Sequence, residues 1–189
     1  MIHFILIVTP LILSVRTTPA SNETLEDARS AVECNETWVD GSSVGLGYLW
    51  FETSRTYSYS SAIAFCESRN SSLIEIDSQE QWKFTIAKLK NISEKVPWRI
   101  SSDGYIWQGW WGGATNEKDG GKWVWTQSGV PVQDFAWGEG QPNIQNWNPN
   151  GQGYFCFYIS PDYGLKNFVG NDFSGHEKIY PLCQQKRYL

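Results

Sequence analysis

Four widely spaced cysteines constrain the fold of this 189-residue chain more than any other feature of its sequence. They are Cys34, Cys66, Cys156 and Cys183. Their spacing is too wide for a zinc ribbon, and His176, the one histidine beyond the N-terminal segment, cannot complete the usual zinc ligand set. An even number of cysteines predicts disulfides if the chain enters an oxidising compartment, and three connectivities are then possible.

The first 20 residues have the features of a secretory signal. An apolar run over residues 2–15 is too short to span a bilayer, and small residues follow it up to Ala20. We therefore expect cleavage near Ala20 and a secreted, extracellular protein that does not span a membrane. A buried N-terminal strand or a signal anchor is the alternative. Residues 21–33 are predicted to form a flexible leader, and residues 34–186 the folded domain.

Glycosylation signals and net charge narrow the class of partner. Asn-x-Ser/Thr triplets predict N-linked glycans on the N-terminal half of the chain, at Asn22, Asn35, Asn70 and Asn91. The chain has 15 Lys and Arg against 20 Asp and Glu, and a net charge of -5. Since no basic cluster is present to neutralise a row of phosphates, nucleic acid is not expected as a partner.

Apolar residues recur at helical spacing in two segments: Tyr59, Ala62, Ile63 and Cys66, and later Trp82, Ile86 and Leu89. The first segment predicts a helix of about three turns that places Cys66 on its buried face. Before the second segment, Ser78 and Gln81 form a capping-box pattern, which predicts a helix start.

Beyond residue 100 the pattern changes to short aromatic and β-branched runs. These runs predict strands at residues 105–111, 122–125, 154–159 and 179–183. In the second strand Trp123 and Trp125 share one face, and Val124 lies on the other. Helices followed by an antiparallel sheet indicate an α+β fold. Residues 127–153 are rich in Gly, Pro, Asn and Gln, and this long loop is the candidate site.

Several motifs in order make residues 34–183 resemble a C-type lectin domain. They are Tyr59-x-x-Ala62-x-x-x-Cys66, Leu73-x-x-Ile76, Trp111-Gly112-Gly113, Trp123-Val124-Trp125, Trp137-Gly138-x-Gly140-Gln141-Pro142-Asn143 and Asn171-Asp172. The resemblance implies a C-type lectin-like fold with two helices, antiparallel sheets, a turn at Trp111-Gly112-Gly113 and a long loop region. It also implies a secreted lectin with a carbohydrate or glycoprotein ligand.

The resemblance further implies a disulfide between Cys66 and Cys183. Two other bridges of the family have each lost one end here. Gly175 stands at the family's partner position for Cys156, and a glycine also stands at the partner position for Cys34. Cys34 and Cys156 therefore bridge each other, remain free or link two chains, and the oligomeric state stays open.

In the family a calcium ion in the long loop binds two neighbouring sugar hydroxyls. The side chains that hold the ion also hydrogen-bond those hydroxyls, and the matching residues here are Gln141, Asn143, Asn171 and Asp172. Calcium takes six to eight oxygens, while carboxylates accept and amides donate hydrogen bonds to hydroxyls. The Gln-Pro-Asn sequence combines the mannose-type and galactose-type loops of the family, so the sugar class stays open. The three amide residues instead satisfy loop backbone groups in the alternative interpretation.

Two departures from the family weaken the expected calcium site. Tyr154 stands where the family has an additional glutamate ligand, and Gly170 stands where the family has a tryptophan before Asn-Asp. Asp172 is thus the one carboxylate among the matched positions, which predicts a weak site of the millimolar class. Glu139 and Asp134 are candidate substitute ligands.

Two aromatic residues flank the loop motif. Trp137 is expected to pack under the loop, whereas Trp147 is a candidate for contact with sugar or protein. The rival hypothesis is a calcium-independent, protein-binding module of the same fold. An enzyme is not expected, because His176 is the one histidine of the mature chain and no nucleophile, base and carboxylate set is evident. His176 itself is predicted to lie in an exposed turn.

Overall fold

The computed structural model describes residues 38–119, 121–144, 151–163 and 167–185. In these ranges the chain forms two helices, α1 (Tyr59–Glu67) and α2 (Gln79–Ser93), and nine strands: β1 (Trp38–Asp40), β2 (Tyr48–Phe51), β3 (Ser71–Leu73), β4 (Arg99–Ile100), β5 (Ile106–Asp119), β6 (Lys122–Trp125), β7 (Tyr154–Ile159), β8 (Val169–Phe173) and β9 (Tyr180–Gln185). The α+β prediction is confirmed. Within the same ranges, no helix combines the length and apolar character that a membrane span requires.

Helix α1 confirms the first helical prediction and carries the disulfide. It buries Tyr59, Ala62, Phe65 and Cys66. Ile63, which was expected on the buried face, is half-buried because it lies at the edge of that face. Cys66 is bonded to Cys183 in β9, with 5.5 Å between the Cα atoms. The pairing implied by the resemblance is therefore present.

Helix α2 begins at the predicted cap. The backbone N–H of Gln81 donates to Ser78 Oγ at 3.3 Å, and the Gln81 side-chain oxygen accepts a bond from the N–H of Asp77 at 3.0 Å. The first bond satisfies an N–H group that the first helical turn leaves unpaired, and the second connects the residue before the cap to the helix. Leu89 is fully buried on this helix, while Trp82 and Ile86 are half-buried against the core.

The strands form one mixed sheet with the order β1-β2-β9-β5-β7-β8. Strands β6 and β7 have the predicted bounds. The prediction of antiparallel pairing needs one correction: β5 and β9 run parallel, with Trp110 opposite Tyr180. The final strand returns between the two halves of the sheet, where it pairs with both β2 and β5.

The predicted turn at Trp111-Gly112-Gly113 is wrong, because these residues lie inside β5. The register of β5 against β7 shifts between Trp111 and Thr115. Gly113 donates its N–H to the carbonyl of Ile74 at 2.8 Å. A Cβ atom on Gly113 would lie 2.9 Å from the carbonyl oxygen of Leu73. The glycine is thus needed for close approach of two backbones and not for a turn.

Strand β7 divides the interior into two hydrophobic clusters. Its alternate residues Phe155 and Phe157 belong to the larger cluster, and Cys156 belongs to the smaller one, which also contains the disulfide. Both faces of this strand are buried, so its sequence is nearly continuously apolar. In β6, Trp123 and Trp125 are buried on one face and Val124 is half-buried on the other, as predicted.

Candidate functional site

The long loop leaves β6 and folds back onto β8. A short 3-10 turn spans Asp134–Ala136. Two residues after this turn, Gly138 donates its N–H to the carbonyl of Gly170 in β8 at 2.9 Å. A Cβ atom on Gly170 would lie 2.1 Å from the backbone oxygen of Ala136. The chain therefore has glycine where the family has tryptophan because the loop backbone occupies the space of a side chain.

Asp172 holds the middle of the loop. Its Oδ2 accepts the N–H of Ile144 at 2.6 Å, and the N–H of Asn143 also donates to this carboxylate. The residue is 1 % exposed. Burial raises the pKa of Asp172, and the hydrogen bonds from the Ile144, Asn143 and Asp172 backbone offset only part of that rise. A buried carboxylate thus connects the loop motif to β8.

Two buried acceptor oxygens of the matched residues have no hydrogen-bond partner among the described residues. They are Asp172 Oδ1 and Gln141 Oε1. Gln141 precedes Pro142 through a cis peptide bond. Because buried acceptors normally find a donor, these two oxygens are the candidate atoms for contact with an ion, a water or a ligand group.

Asn171 lies on the other side of the strand. It pairs with Cys156 in β7, whereas Asp172 pairs with Phe155, so the two side chains project to opposite faces of β8. Asn171 Oδ1 accepts the N–H of Asp172 at 2.9 Å. The structure therefore joins the Asn143 backbone to Asp172, leaves the Asn171 side chain on the opposite face of β8, and gives Gln141 Oε1 no bond to any of them.

Tyr154 fills space on the same face as Cys156. Its ring lies 4.1 Å from the ring of Tyr59, at an interplanar angle of 30°. A Cβ atom on Gly175 would come within 2.8 Å of the Tyr154 ring. Tyr154 replaces the family's glutamate, and its ring occupies the space that a side chain at position 175 would need. The two departures from the family at positions 154 and 175 are therefore connected.

Cys156 has a free and fully buried thiol and belongs to the smaller hydrophobic cluster. Burial, and then the charges of Asp172 and Glu177, raise the pKa of Cys156 well above its ordinary value. Cys34 lies outside the described residues.

These residues fit calcium only in part. The described ranges contain no group of three or more His, Cys, Asp or Glu side chains arranged to hold a metal ion. Calcium takes six to eight oxygens. Gln141 Oε1 and Asp172 Oδ1 are available, but Asp172 Oδ2 is already bonded to Ile144. The donor set therefore fits a weak cation site, with the other ligands supplied by backbone, water or sugar.

Sequence reasoning missed two residues that anchor the returning end of the loop. Asn116 Nδ2 donates to the carbonyl of Gly151, and Asn116 Oδ1 accepts the N–H of Gly153 at 2.8 Å. Thr115 Oγ1 donates to the carbonyl of Gly153 at 2.9 Å. Polar residues at buried positions of β5 were the available signal, since a buried Asn or Thr needs partners.

Other predicted residues occupy surface or core positions. Trp137 packs under the loop as expected, 4.9 Å from Trp123 and 5.1 Å from Phe155 between ring centroids. His176 lies in an exposed turn, as predicted. Asn70 and Asn91 are exposed. Trp147, Asn22, Asn35, the signal segment 1–20 and the leader 21–33 lie outside the described residues.

A groove of about 550 Å³ separates β6 from the long loop. Its wall includes Trp123, Trp137, Gln141 and Pro142, and its rim carries Lys122, Asp134 and Glu139. Asp134 and Glu139, the candidate substitute ligands, thus face this groove. Gln141 belongs to both the groove and the matched site, whereas neither Asn143 nor Asp172 is among the lining residues, so the groove is adjacent to the matched site.

A family model described as the Lectin C-type domain matches residues 55–185 of the chain. Mouse lithostathine-1 is 26 % identical over 167 residues, which cover 88 % of this chain and 87 % of the mouse protein.

Solved structures share the fold. The carbohydrate-recognition domain of the mouse scavenger receptor C-type lectin gives a TM-score of 0.57 at 22 % identity, covering 82 % of this chain and 98 % of its own. The C-type lectin domain of murine dendritic cell inhibitory receptor 2, in complex with an N-glycan, gives 0.56 at 17 % identity, covering 82 % and 99 %. The fold implied by the resemblance is confirmed.

Proposed function

Because the chain belongs to the C-type lectin domain family, we propose that it is a carbohydrate-binding lectin that uses residues 137–153 with Asn171 and Asp172. One observation carries the proposal. Asp172 holds the loop motif through the N–H of Ile144, while Gln141 Oε1 and Asp172 Oδ1 remain buried without a partner. The N-glycan complex of murine dendritic cell inhibitory receptor 2, which has the same fold, supports this assignment.

The chemistry of the site suits sugar hydroxyls. Gln141 and Asn143 are half-buried as residues, and Gln141 contributes to the wall of the groove beside the loop. An amide donates and accepts, and a carboxylate accepts, which matches hydroxyls that do both. Trp147 would add an apolar face for a sugar ring. Asn171 contributes by orienting the backbone of Asp172 through its bond to that N–H.

Calcium is the cofactor that this site would hold weakly. Gln141 Oε1 and Asp172 Oδ1 would be its side-chain ligands. The ion would supply a positive centre that binds two neighbouring hydroxyls directly. Since Asp172 is the one carboxylate at the matched positions, we expect affinity of the millimolar class.

A calcium-independent, protein-binding module is the second candidate function. The contact of Tyr154 with Tyr59 favours it, because an aromatic residue replaces a charged ligand of the family. The two candidates differ in their ligand and in their response to chelator, so one experiment separates them.

We also propose that the chain is secreted, that residues 1–20 are removed as a signal, and that the domain is a binding module and not an enzyme. Exposure of Asn70 and Asn91 supports glycosylation at both positions. Treatment of the secreted chain with an N-glycosidase should increase its gel mobility, and N-terminal sequencing should begin near Ser21.

A glycan array probed with calcium and again with chelator tests the lectin assignment. We expect capture of at least one glycan with several millimolar calcium. Asp172→Asn should reduce that capture, because the amide places a donor where the sugar or ion needs an acceptor. Asp103→Asn is the matched control, since Asp103 is an exposed residue far from the loop in the sequence and makes the same chemical change.

Each result of the array has one meaning. Capture that is lost equally in Asp172→Asn and with chelator supports the calcium-assisted site. An absence of glycan capture with and without calcium contradicts the lectin assignment and favours the protein-binding module.

A further inference from the structure

The groove between β6 and the long loop has the properties of a second binding site, which shares Gln141 with the matched loop site and does not include Asn143 or Asp172. Its volume of about 550 Å³ lies within the range of small-molecule sites, roughly 300–1,000 Å³. It is broadly open to solvent.

Two tryptophans form its apolar part. Trp137 is half-buried, and its ring meets Trp123 at 4.9 Å with an interplanar angle of 73°. Behind them, Trp137 also contacts Phe155, which is fully buried. Because three aromatic rings interlock, the exposed part of the Trp137 indole is a fixed surface. An indole face suits the apolar C–H face of a pyranose ring.

Charged side chains of both signs surround this surface. Asp134, Glu139 and Lys122 are exposed, and none of them is hydrogen-bonded or ion-paired through its side chain to another described residue. The carboxylates accept hydrogen bonds and the ammonium donates them. The rim therefore offers both hydrogen-bond acceptors and hydrogen-bond donors to a ligand.

This arrangement of charge selects against anionic ligands. The two carboxylates repel an anion, as does the net charge of -5 of the chain. Lys122 offsets part of the attraction that the two carboxylates have for a cation. A neutral ligand that carries many hydroxyls able to donate and accept, and that has one apolar face, fits both the indole surface and the rim.

We propose that this groove is a calcium-independent subsite for a neutral hexopyranose unit of a glycan. The proposal rests on the lectin function proposed above and extends it to a second contact. The ring would stack on Trp137, and its hydroxyls would bond to Asp134, Glu139 and Lys122. Gln141 and Pro142 connect the groove to the matched loop site, so one glycan chain would span both.

The test is a titration of the ¹⁵N-labelled full chain followed by NMR in the presence of EDTA. The probes are the neutral methyl glucoside, methyl mannoside and methyl galactoside, with methyl glucuronide as the anionic analogue. The readout is the indole N–H signal of Trp137, assigned with Trp137→Phe. We expect a saturable shift for at least one neutral hexoside and at least about ten-fold weaker binding of the anionic analogue.

Substitutions of the exposed rim residues should remove single charged groups without unfolding the protein. Asp134→Asn with Glu139→Gln should weaken binding of the neutral hexoside by about ten-fold or more, since each removes a charge-assisted bond. Asp103→Asn with Glu177→Gln makes the same changes at exposed positions outside the groove and should leave the affinity unchanged.

The outcomes separate this inference from the lectin assignment. If glycan capture requires calcium and no neutral hexoside shifts Trp137 in EDTA, the groove is not a subsite and the lectin assignment stands. If no glycan binds under either condition, both proposals fail. Equal affinity for methyl glucuronide and the neutral hexosides, or rim variants that bind like the wild type, would overturn the inference.

Discussion

Glu52 and Asp172 are buried carboxylates that each hold a loop, but they differ in how completely their oxygens are hydrogen-bonded. Glu52 closes the turn after β2 by accepting the N–H groups of Thr53, Ser54 and Arg55 at 3.2, 2.7 and 3.1 Å. Asp172 closes the long loop, where the N–H groups of Ile144 and Asn143 reach it.

The two carboxyl groups differ in the sign of their pKa shifts. For Glu52, burial alone would raise the pKa, but the bonds from Ser54, Arg55 and Trp50 together outweigh it and lower the pKa. For Asp172, burial prevails and the pKa is raised. Glu52 is surrounded by donors, whereas Asp172 has an oxygen without a partner. The oxygen of Asp172 without a partner therefore identifies the long loop as the candidate ligand site.

The first prediction concerns the disulfide between Cys66 and Cys183, which supports the Glu52 region. The N–H of Glu52 donates to Pro181 in β9, the strand that carries the disulfide. Replacing Cys66 with Ala should lower the free energy of unfolding by about 2–5 kcal/mol, because the unfolded chain regains the entropy of an open loop. Denaturant titration measures this. Cys156→Ala, at the buried free thiol, should cost less, and equal losses would contradict the comparison.

The second prediction concerns the polar support of the loop region. Asp172→Ala leaves the N–H of Ile144 buried without an acceptor, which should cost about 1–3 kcal/mol of unfolding free energy. Hydrogen exchange of the Ile144 amide should become faster than in the wild type. Asp103→Ala, an exposed control, should stay within about 0.5 kcal/mol. Unchanged exchange at Ile144 would show that Asp172 does not hold the loop.

The third prediction separates the two regions by pH. The contribution of Glu52 to stability is present above its ordinary pKa of 4.5 and is lost as pH falls through its lowered folded value. The contribution of Asp172 is present below its ordinary pKa of 3.8 and is lost as pH rises through its raised folded value.

Unfolding free energies measured from pH 3 to 7 should show these opposite effects. Glu52→Gln should reduce the loss of stability on the acid side. Asp172→Asn should reduce the loss that accompanies rising pH. The same slope change in both variants would mean that the two carboxyl environments do not differ.

The smallest predicted effect concerns the contact between Tyr154 and Gly175. Gly175→Ala brings a methyl group against the tyrosine ring, which should cost about 1 kcal/mol because the ring can shift. In the Tyr154→Ala background the same substitution should cost less. A coupling energy of about 0.5 kcal/mol or more in the double-mutant cycle is expected, and additivity would exclude the contact.

Several features of this protein follow from local sequence pattern alone. The spacing of Tyr59 and Cys66 predicted the helix that carries the disulfide, and the Ser78 and Gln81 pair predicted the start of α2. The runs at 122–125 and 154–159 predicted two strands with their observed bounds. Such features depend on periods of 3.6 and 2 residues, which neighbouring positions determine.

The binding region depended on contacts that no local pattern contains. The glycine at 170 and the pairing of Tyr154 with Gly175 arise from segments that meet only after folding. Asn171 and Asp172 looked equivalent in sequence, but consecutive residues of a strand point to opposite faces, and the pairing of β8 with β7 places Asp172 on the face of Phe155 and Asn171 on that of Cys156. Because a shift of one residue exchanges the two faces of a strand, register determines which side chain reaches the loop, and only tertiary pairing sets the register.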